Sequence, residues 1–196
     1  GTYTETVLYS FGATSTDGFT PNGGLIQDSS GNFYGTTQFG GQFGNGTVFE
    51  ILSSTGAEKI LYSFGTSQTD GTNPVAGLIQ DSAGNLYGTT SKGGVNQRTF
   101  YPSGSTGSPY YLGGTIFEIN PSTGTEKTLH AFGASSTDGL APAAGLIQGS
   151  NGNFYGTTVA GGANPGNYNE GFCTVFEYNP TTGAETILYS FGASST

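Results

Sequence analysis

Charge is what this 196-residue chain has least of. Lys and Arg number four and Asp and Glu thirteen, for a net charge of −9. Binding a phosphate backbone rests on clustered Lys and Arg, so a nucleic-acid partner is excluded. The single cysteine, Cys173, rules out an intrachain disulfide and any cysteine-based zinc cluster. Met and Trp are absent, and His130 is the one histidine. No apolar run approaches the ~20 residues of a membrane-spanning helix, so no membrane insertion is expected of this segment. No stretch carries the 3.6-residue apolar period, so long helices are not expected. No signal peptide opens the sequence; a mature or excised chain would lack one in any case.

What the chain has is glycine, 36 residues, and aromatics, 12 Tyr and 14 Phe. Disordered segments are poor in aromatics, so the composition describes a folded, turn-rich β protein. Abundant Ser, Thr, Asn and Gly with little Lys suits an extracellular or cell-surface setting.

The aromatics recur in order. LYSFG begins at Leu8, Leu61 and Leu188, and appears as LHAFG at Leu129. Between copies the sequence runs TDG, a Pro, GLIQ, a Gly-Asn turn, YGTT, Gly-Gly, T(V/I)FE, TG and a Glu before the next copy. A period near 50 built from short strand-like runs points to propellers or other stacked β arrays. The units run approximately over residues 13–65, 66–133 and 134–192, with residues 1–12 as the last strand of a preceding unit.

One unit reads as four antiparallel strands. In the second, Gly77-Leu78-Ile79-Gln80 leads to Asp81-Ser82-Ala83-Gly84-Asn85, where Asp first and Gly fourth give a type I turn with a left-handed glycine. Leu86-Tyr87-Gly88-Thr89-Thr90 returns, Gly114–Ile119 forms the third strand, and Glu126–Phe132 the fourth. In the equivalent fourth strand of unit one, Ile60, Tyr62 and Phe64 are expected on one face and Leu61 on the other. Apolar groups on both faces suit sheets buried between neighbouring sheets, as in propeller blades. The fold class is therefore all-β, tandem four-stranded antiparallel repeats of propeller type, with a β-solenoid or open stack of sheets as the alternative.

The pattern DGxxPxxGLIQDSxGNxYGTT, GG, GT(V/I)FEI, TGxE, LYSFG resembles the GloVer-type tandem repeat of bacterial surface proteins, three times over. The hairpin from Ile26 to Thr36 also resembles the core of regulator-type propeller blades, with Tyr34, Tyr87 and Tyr155 where a Trp is usual. The first resemblance implies export and long repeat runs, and it supplies no catalytic residues.

Asp17, Asp70 and Asp138 recur between Thr and Gly and are expected to make Asx turns rather than a calcium cage. Glu58, Glu126 and Glu185, with Glu5, precede each LYSFG; Glu50, Glu118 and Glu177 end the third strand. All are expected as cross-strand or solvated positions, Lys59 and Lys127 pairing with acids across strands. His130 stands where Tyr9, Tyr62 and Tyr189 stand and reads as an aromatic substitute. A catalytic pair should break the repeat, and only Glu170 among the acids does. The chain is accordingly expected to be no enzyme, with no catalytic residues, no metal ligands and no cofactor.

Sequence variation collects on one edge. From the second Gly of Gly-Gly to the strand Thr the step is 6, 21 and 12 residues in the three units. The long loops carry aromatics with Asn, Gln and Arg, the residue types of a sugar or peptide site. The ligand-binding candidates are Arg98, Phe100, Tyr101, Tyr110, Tyr111 and Tyr168, with a glycan as the possible ligand. The expected partner is a second copy of the chain, joined through the terminal strand residues Val7, Leu8, Tyr9 and Phe11 into a ring or a filament. The expected function is a structural or adhesive role at the cell surface, with a lectin-like propeller as the alternative.

Overall fold

The computed structural model describes residues 2–100, 110–163 and 172–192. These contain strands and turns, with no helix. Unit one holds β1 (Gly18–Phe19), β2 (Ile26–Gln27), β3 (Phe33–Thr37), β4 (Phe39–Gly40), β5 (Thr47–Ile51) and β6 (Glu58–Ser63). Unit two holds β7 (Gly71–Thr72), β8 (Ile79–Gln80), β9 (Leu86–Thr90), β10 (Lys92–Gly93), β11 (Arg98–Phe100), β12 (Tyr110–Leu112), β13 (Thr115–Asn120) and β14 (Thr125–Ala131). Unit three holds β15 (Gly139–Pro142), β16 (Ile147–Gln148), β17 (Phe154–Gly161), β18 (Thr174–Asn179) and β19 (Ala184–Ser190).

Each unit is one antiparallel four-stranded meander: β2-β3-β5-β6, β8-β9-β13-β14, and β16-β17-β18-β19. A two-residue ladder braces the loop edge, β1 on β4 and β7 on β10; in unit three its counterpart β15 pairs with the extended β17. Turn chemistry sets the registers. Asp81 Oδ1 accepts the N–H of Ala83 and of Asn85, and Gly84 takes φ +88°, which closes the β8–β9 hairpin. At the β13–β14 turn, Asn120 Oδ1 accepts from Ser122 and Thr123, and Gly124 takes φ +70°.

Two details depart from the sequence reading. Every fourth strand carries a bulge at its repeat Leu: Val48 faces Tyr62 while Phe49 faces Ile60, leaving Leu61 extra. Leu129 and Leu188 are skipped in the same way. The bulge breaks the simple alternation of Ile60, Tyr62 and Phe64 against Leu61. Second, residues 2–12 form no strand. A strand needs a ladder partner, and among the described residues they pair with none.

The core lies between sheets. One cluster joins Tyr34, Val48, Leu61 and Phe64 of unit one to Leu78, Leu86, Phe117 and Ile119 of unit two. Another joins Tyr87, Ile116 and Phe132 of unit two to Leu146, Phe154, Phe176 and Tyr178 of unit three. Phe64 meets Phe117 edge-on at 5.0 Å, and Phe132 meets Phe176 at 5.0 Å, a favoured aromatic geometry. Units also bond directly: Thr36 Oγ1 donates to Ala76 O at 2.9 Å and Tyr178 Oη to Leu129 O at 3.1 Å. Both faces of the middle sheet are thus covered, as in a propeller blade.

Candidate functional site

Among the described residues, the loop edge carries a projection in its long insertion. Strands β11 and β12 form a hairpin in which Arg98 lies opposite Leu112, Thr99 opposite Tyr111 and Phe100 opposite Tyr110. Four of the ligand-binding candidates thereby share one hairpin, yet cross-strand pairs share a face, so Tyr111 and Arg98 belong to opposite faces. Tyr111 is exposed. The hairpin base is fixed by Asn96 Nδ2 donating to Ala131 O at 2.8 Å and Gly93 N–H donating to Gln97 Oε1 at 3.0 Å. Beside it lies a groove of about 430 Å³ lined by Asn45, Gln68, Val95 and Gln97 among others. Tyr101, Tyr168 and Glu170 lie outside the described residues.

A second constellation recurs at each junction between units and was not legible as one in the sequence. The aspartate of TDG is buried in all three copies. It does not make the expected Asx turn, whose donor would be two residues ahead. Its Oδ2 instead reaches back: Asp70 accepts the N–H of Gly65 at 2.8 Å and of Thr66 at 2.9 Å, and the Tyr62 hydroxyl at 2.9 Å. The carboxylate thus ties down the chain leaving the preceding fourth strand.

The glutamate of the following fourth strand approaches that aspartate, a correction to its expected solvated or cross-strand role. Tyr9 Oη lies 3.1 Å from both Asp17 Oδ2 and Glu58 Oε2. A phenol has one proton, so it serves one of the two carboxylates at a time. Burial and then the charge of Asp17 push the Glu58 carboxyl up. Burial and the charge of Asp70 push Glu126 up to about 7, although Thr128 donates a hydrogen bond to it. Burial and the charge of Asp138 push Glu185 up to about 7. In the third junction His130 replaces the tyrosine. It packs edge-on against Phe132 at 4.8 Å, the aromatic role expected of it, and burial lowers its pKa against the raising effect of Asp138.

The other glutamates behave closer to expectation. Glu50 faces Lys59 across β5 and β6, with an ion pair at 3.7 Å, and also lies 3.0 Å from Tyr34 Oη. Lys127 stands opposite Glu118. Where Gly149 replaces the hairpin Asp of the other units, Tyr155 Oη donates to Glu177 at 2.7 Å, and Asn153 and Asn151 donate to the same oxygen.

The third feature is the pair of end faces. Inside the array the Leu of GLIQ is covered by the preceding unit: Leu78 and Leu146 are each 4% exposed. Leu25 is 54% exposed. At the other end, Leu61 is 7% exposed and its repeat counterpart Leu188 is 49% exposed, and Ile147 and Tyr189 are exposed with it. Residues 2–12 cover part of the first face. Phe11 meets Phe49 edge-on at 4.9 Å, as Phe64 meets Phe117, while Val7 and Leu8 stay exposed. A groove of about 410 Å³ remains there, lined by Val7, Leu8, Leu25, Phe33, Phe49 and Ile51 among others.

Among solved structures, the chain is similar to TolB from Acinetobacter baumannii, with 17% identity and a TM-score of 0.49 over 89% of this chain and 34% of that one. It is also similar to a 6-phosphogluconolactonase described as putative from Bacteroides fragilis, with 16% identity and a TM-score of 0.38 over 89% of this chain and 57% of that one. The chain therefore spans about a third of the first and little more than half of the second. No curated protein matches it. The family profile described as the Gloeobacter/Verrucomicrobia repeat matches residues 1–196, and the chain belongs to that repeat family.

Proposed function

We propose that this chain is an exported, non-enzymatic repeat scaffold that works in cell-surface structure or adhesion and associates end to end. The carrying observation is that its two end faces repeat the two halves of its internal joints. Leu25 stands in the place of Leu78 and Leu146, and Leu188 in the place of Leu61, each apolar and uncovered. Contiguous apolar surface of this kind marks an interaction site, and the partner of matching shape is another unit of the same repeat. For the chain alone in solution that partner is a second copy. Such a head-to-tail joint closes into a ring or runs on as a filament.

The N-terminal segment enters the same joint. Residues 4–10 read TETVLYS and residues 184–190 read AETILYS. The second copy is the fourth strand β19, paired to β18, whereas the first is unpaired. A joint has room for one such strand, so Val7, Leu8 and Tyr9 of one chain compete with Ile187, Leu188 and Tyr189 of the next.

Light scattering across micromolar concentrations, with negative-stain microscopy, tests this. Mass should rise with concentration for the wild type and stay monomeric for Leu25→Glu and Leu188→Glu. Both residues are exposed in the monomer, so the variants should keep its stability. A wild type that stays monomeric, or association indifferent to both substitutions, overturns the proposal. A lectin-like reading is the alternative, favoured by the groove beside the β11–β12 hairpin and the exposed Tyr111. Saturable glycan binding lost in Tyr111→Ala would favour it.

A further inference from the structure

The third junction differs from the first two in having no tyrosine hydroxyl beside its carboxylates, where Tyr9 and Tyr62 serve the other two. In the second junction Tyr62 donates to Asp70 and Thr128 donates to Glu126. In the third, His130 stands at the tyrosine position, and Ile187 stands at the threonine position as Ile60 does in the first. His130 Nε2, Asp138 Oδ1 and Glu185 Oε1 are all buried and have no hydrogen-bond partner. One ligand atom from each of the three residues lies within 4.8 Å of the other two.

Asp138 is 5% exposed. Its Oδ2 is engaged by the N–H of Gly133 at 2.7 Å and of Ala134 at 2.8 Å, which fixes the carboxylate and leaves Oδ1 for another partner. The His130 ring is fixed by its edge-on contact with Phe132. Leaving a buried polar atom unsatisfied is costly. Asp17 Oδ1, Glu58 Oε1 and Asp70 Oδ1 are unpartnered at the other junctions too, and what sets the third apart is the unpartnered imidazole nitrogen gathered with its two carboxylates. An imidazole nitrogen and two carboxylate oxygens are a ligand set suited to zinc and its neighbours, whereas calcium and magnesium favour oxygen alone. A doubly positive ion would also balance the two carboxylate charges.

We propose that His130, Asp138 and Glu185 bind one divalent transition-metal ion of the zinc class, with water completing a four-coordinate shell. The ion joins β14, which carries His130, to β19, which carries Glu185, through the loop holding Asp138. It thereby pins unit two to unit three. Bonds of about 2.0–2.2 Å require the three side chains to draw together slightly on binding.

The test is calorimetric titration of the chelator-stripped 196-residue chain with Zn²⁺ alone, alongside visible spectra with Co²⁺. The wild type should take up one equivalent, melt at a higher temperature with Zn²⁺, and show the intense absorption of four-coordinate Co²⁺. His130→Tyr restores the residue found at the other two junctions, so it should fold. It should weaken binding by at least about 100-fold, the upper end of the loss when a mere supporting contact to a ligand is removed. Glu185→Gln should do the same, and Cys173→Ser should change nothing. No stoichiometric uptake by the wild type, or uptake that survives His130→Tyr, overturns the proposal.

Discussion

Gly88 has no room for a methyl group. A Cβ there would lie 2.6 Å from Phe117 Cζ and 2.8 Å from Leu78 Cδ2, both in fully packed surroundings. The same clash recurs at Gly35 with Phe49 and at Gly156 with Phe176. The glycine of YGTT is therefore the seat of the third-strand phenylalanine, and the repeat keeps the two together. Gly88→Ala should destabilise the chain by about 1–3 kcal/mol, the usual cost of overpacking. Chemical denaturation checks it; a neutral result would mean that Phe117 can move, contrary to its packing against Phe64. Gly23 is tight for another reason, since a Cβ there would meet backbone atoms of Ala76 and Gly77 at 2.6 Å, where neighbouring units touch main chain to main chain.

At the scale of elements, the junction carboxylates give the array a pH dependence. Glu126 titrates at about 7 in the folded chain against 4.5 ordinarily. The folded state then holds the proton more tightly than the unfolded state, so stability falls as pH rises from 4.5 to about 7. In chelator, the melting temperature should decline across that window, and Glu126→Gln should flatten part of the decline. A melting temperature that rises with pH there, or an unchanged slope in the variant, would contradict the account. The hairpins and the four-strand order were readable from sequence, because Asp-Ser-Ala-Gly-Asn and Asn-Pro-Ser-Thr-Gly carry their own turn chemistry. The bulges at Leu61, Leu129 and Leu188 were not, because a bulged LYSF and a regular one look alike until the partner strand fixes the register. The Asp70–Glu126 approach was hidden as well. It links residues at opposite ends of one unit, 56 positions apart in sequence, and each acid alone had a simpler local explanation. At the third junction the one visible signal was a histidine in a tyrosine's place, and it gained meaning only once Asp138 and Glu185 were seen beside it.

For the whole molecule, the proposed end-to-end association treats the uncovered faces at Leu25 and Leu188 as interfaces of the same kind as the internal joints. Amide hydrogen exchange of the wild-type chain, compared between dilute and concentrated solution, tests it most directly. In dilute solution the strands β9 and β13, whose sheet is covered on both faces, should exchange slowest. On concentration, protection should grow around Leu25 and along β19 and leave β9 and β13 unchanged, with no gain in Leu25→Glu. Equal protection of all three sheets in the dilute monomer, or a concentration effect spread evenly over the chain, would contradict the account.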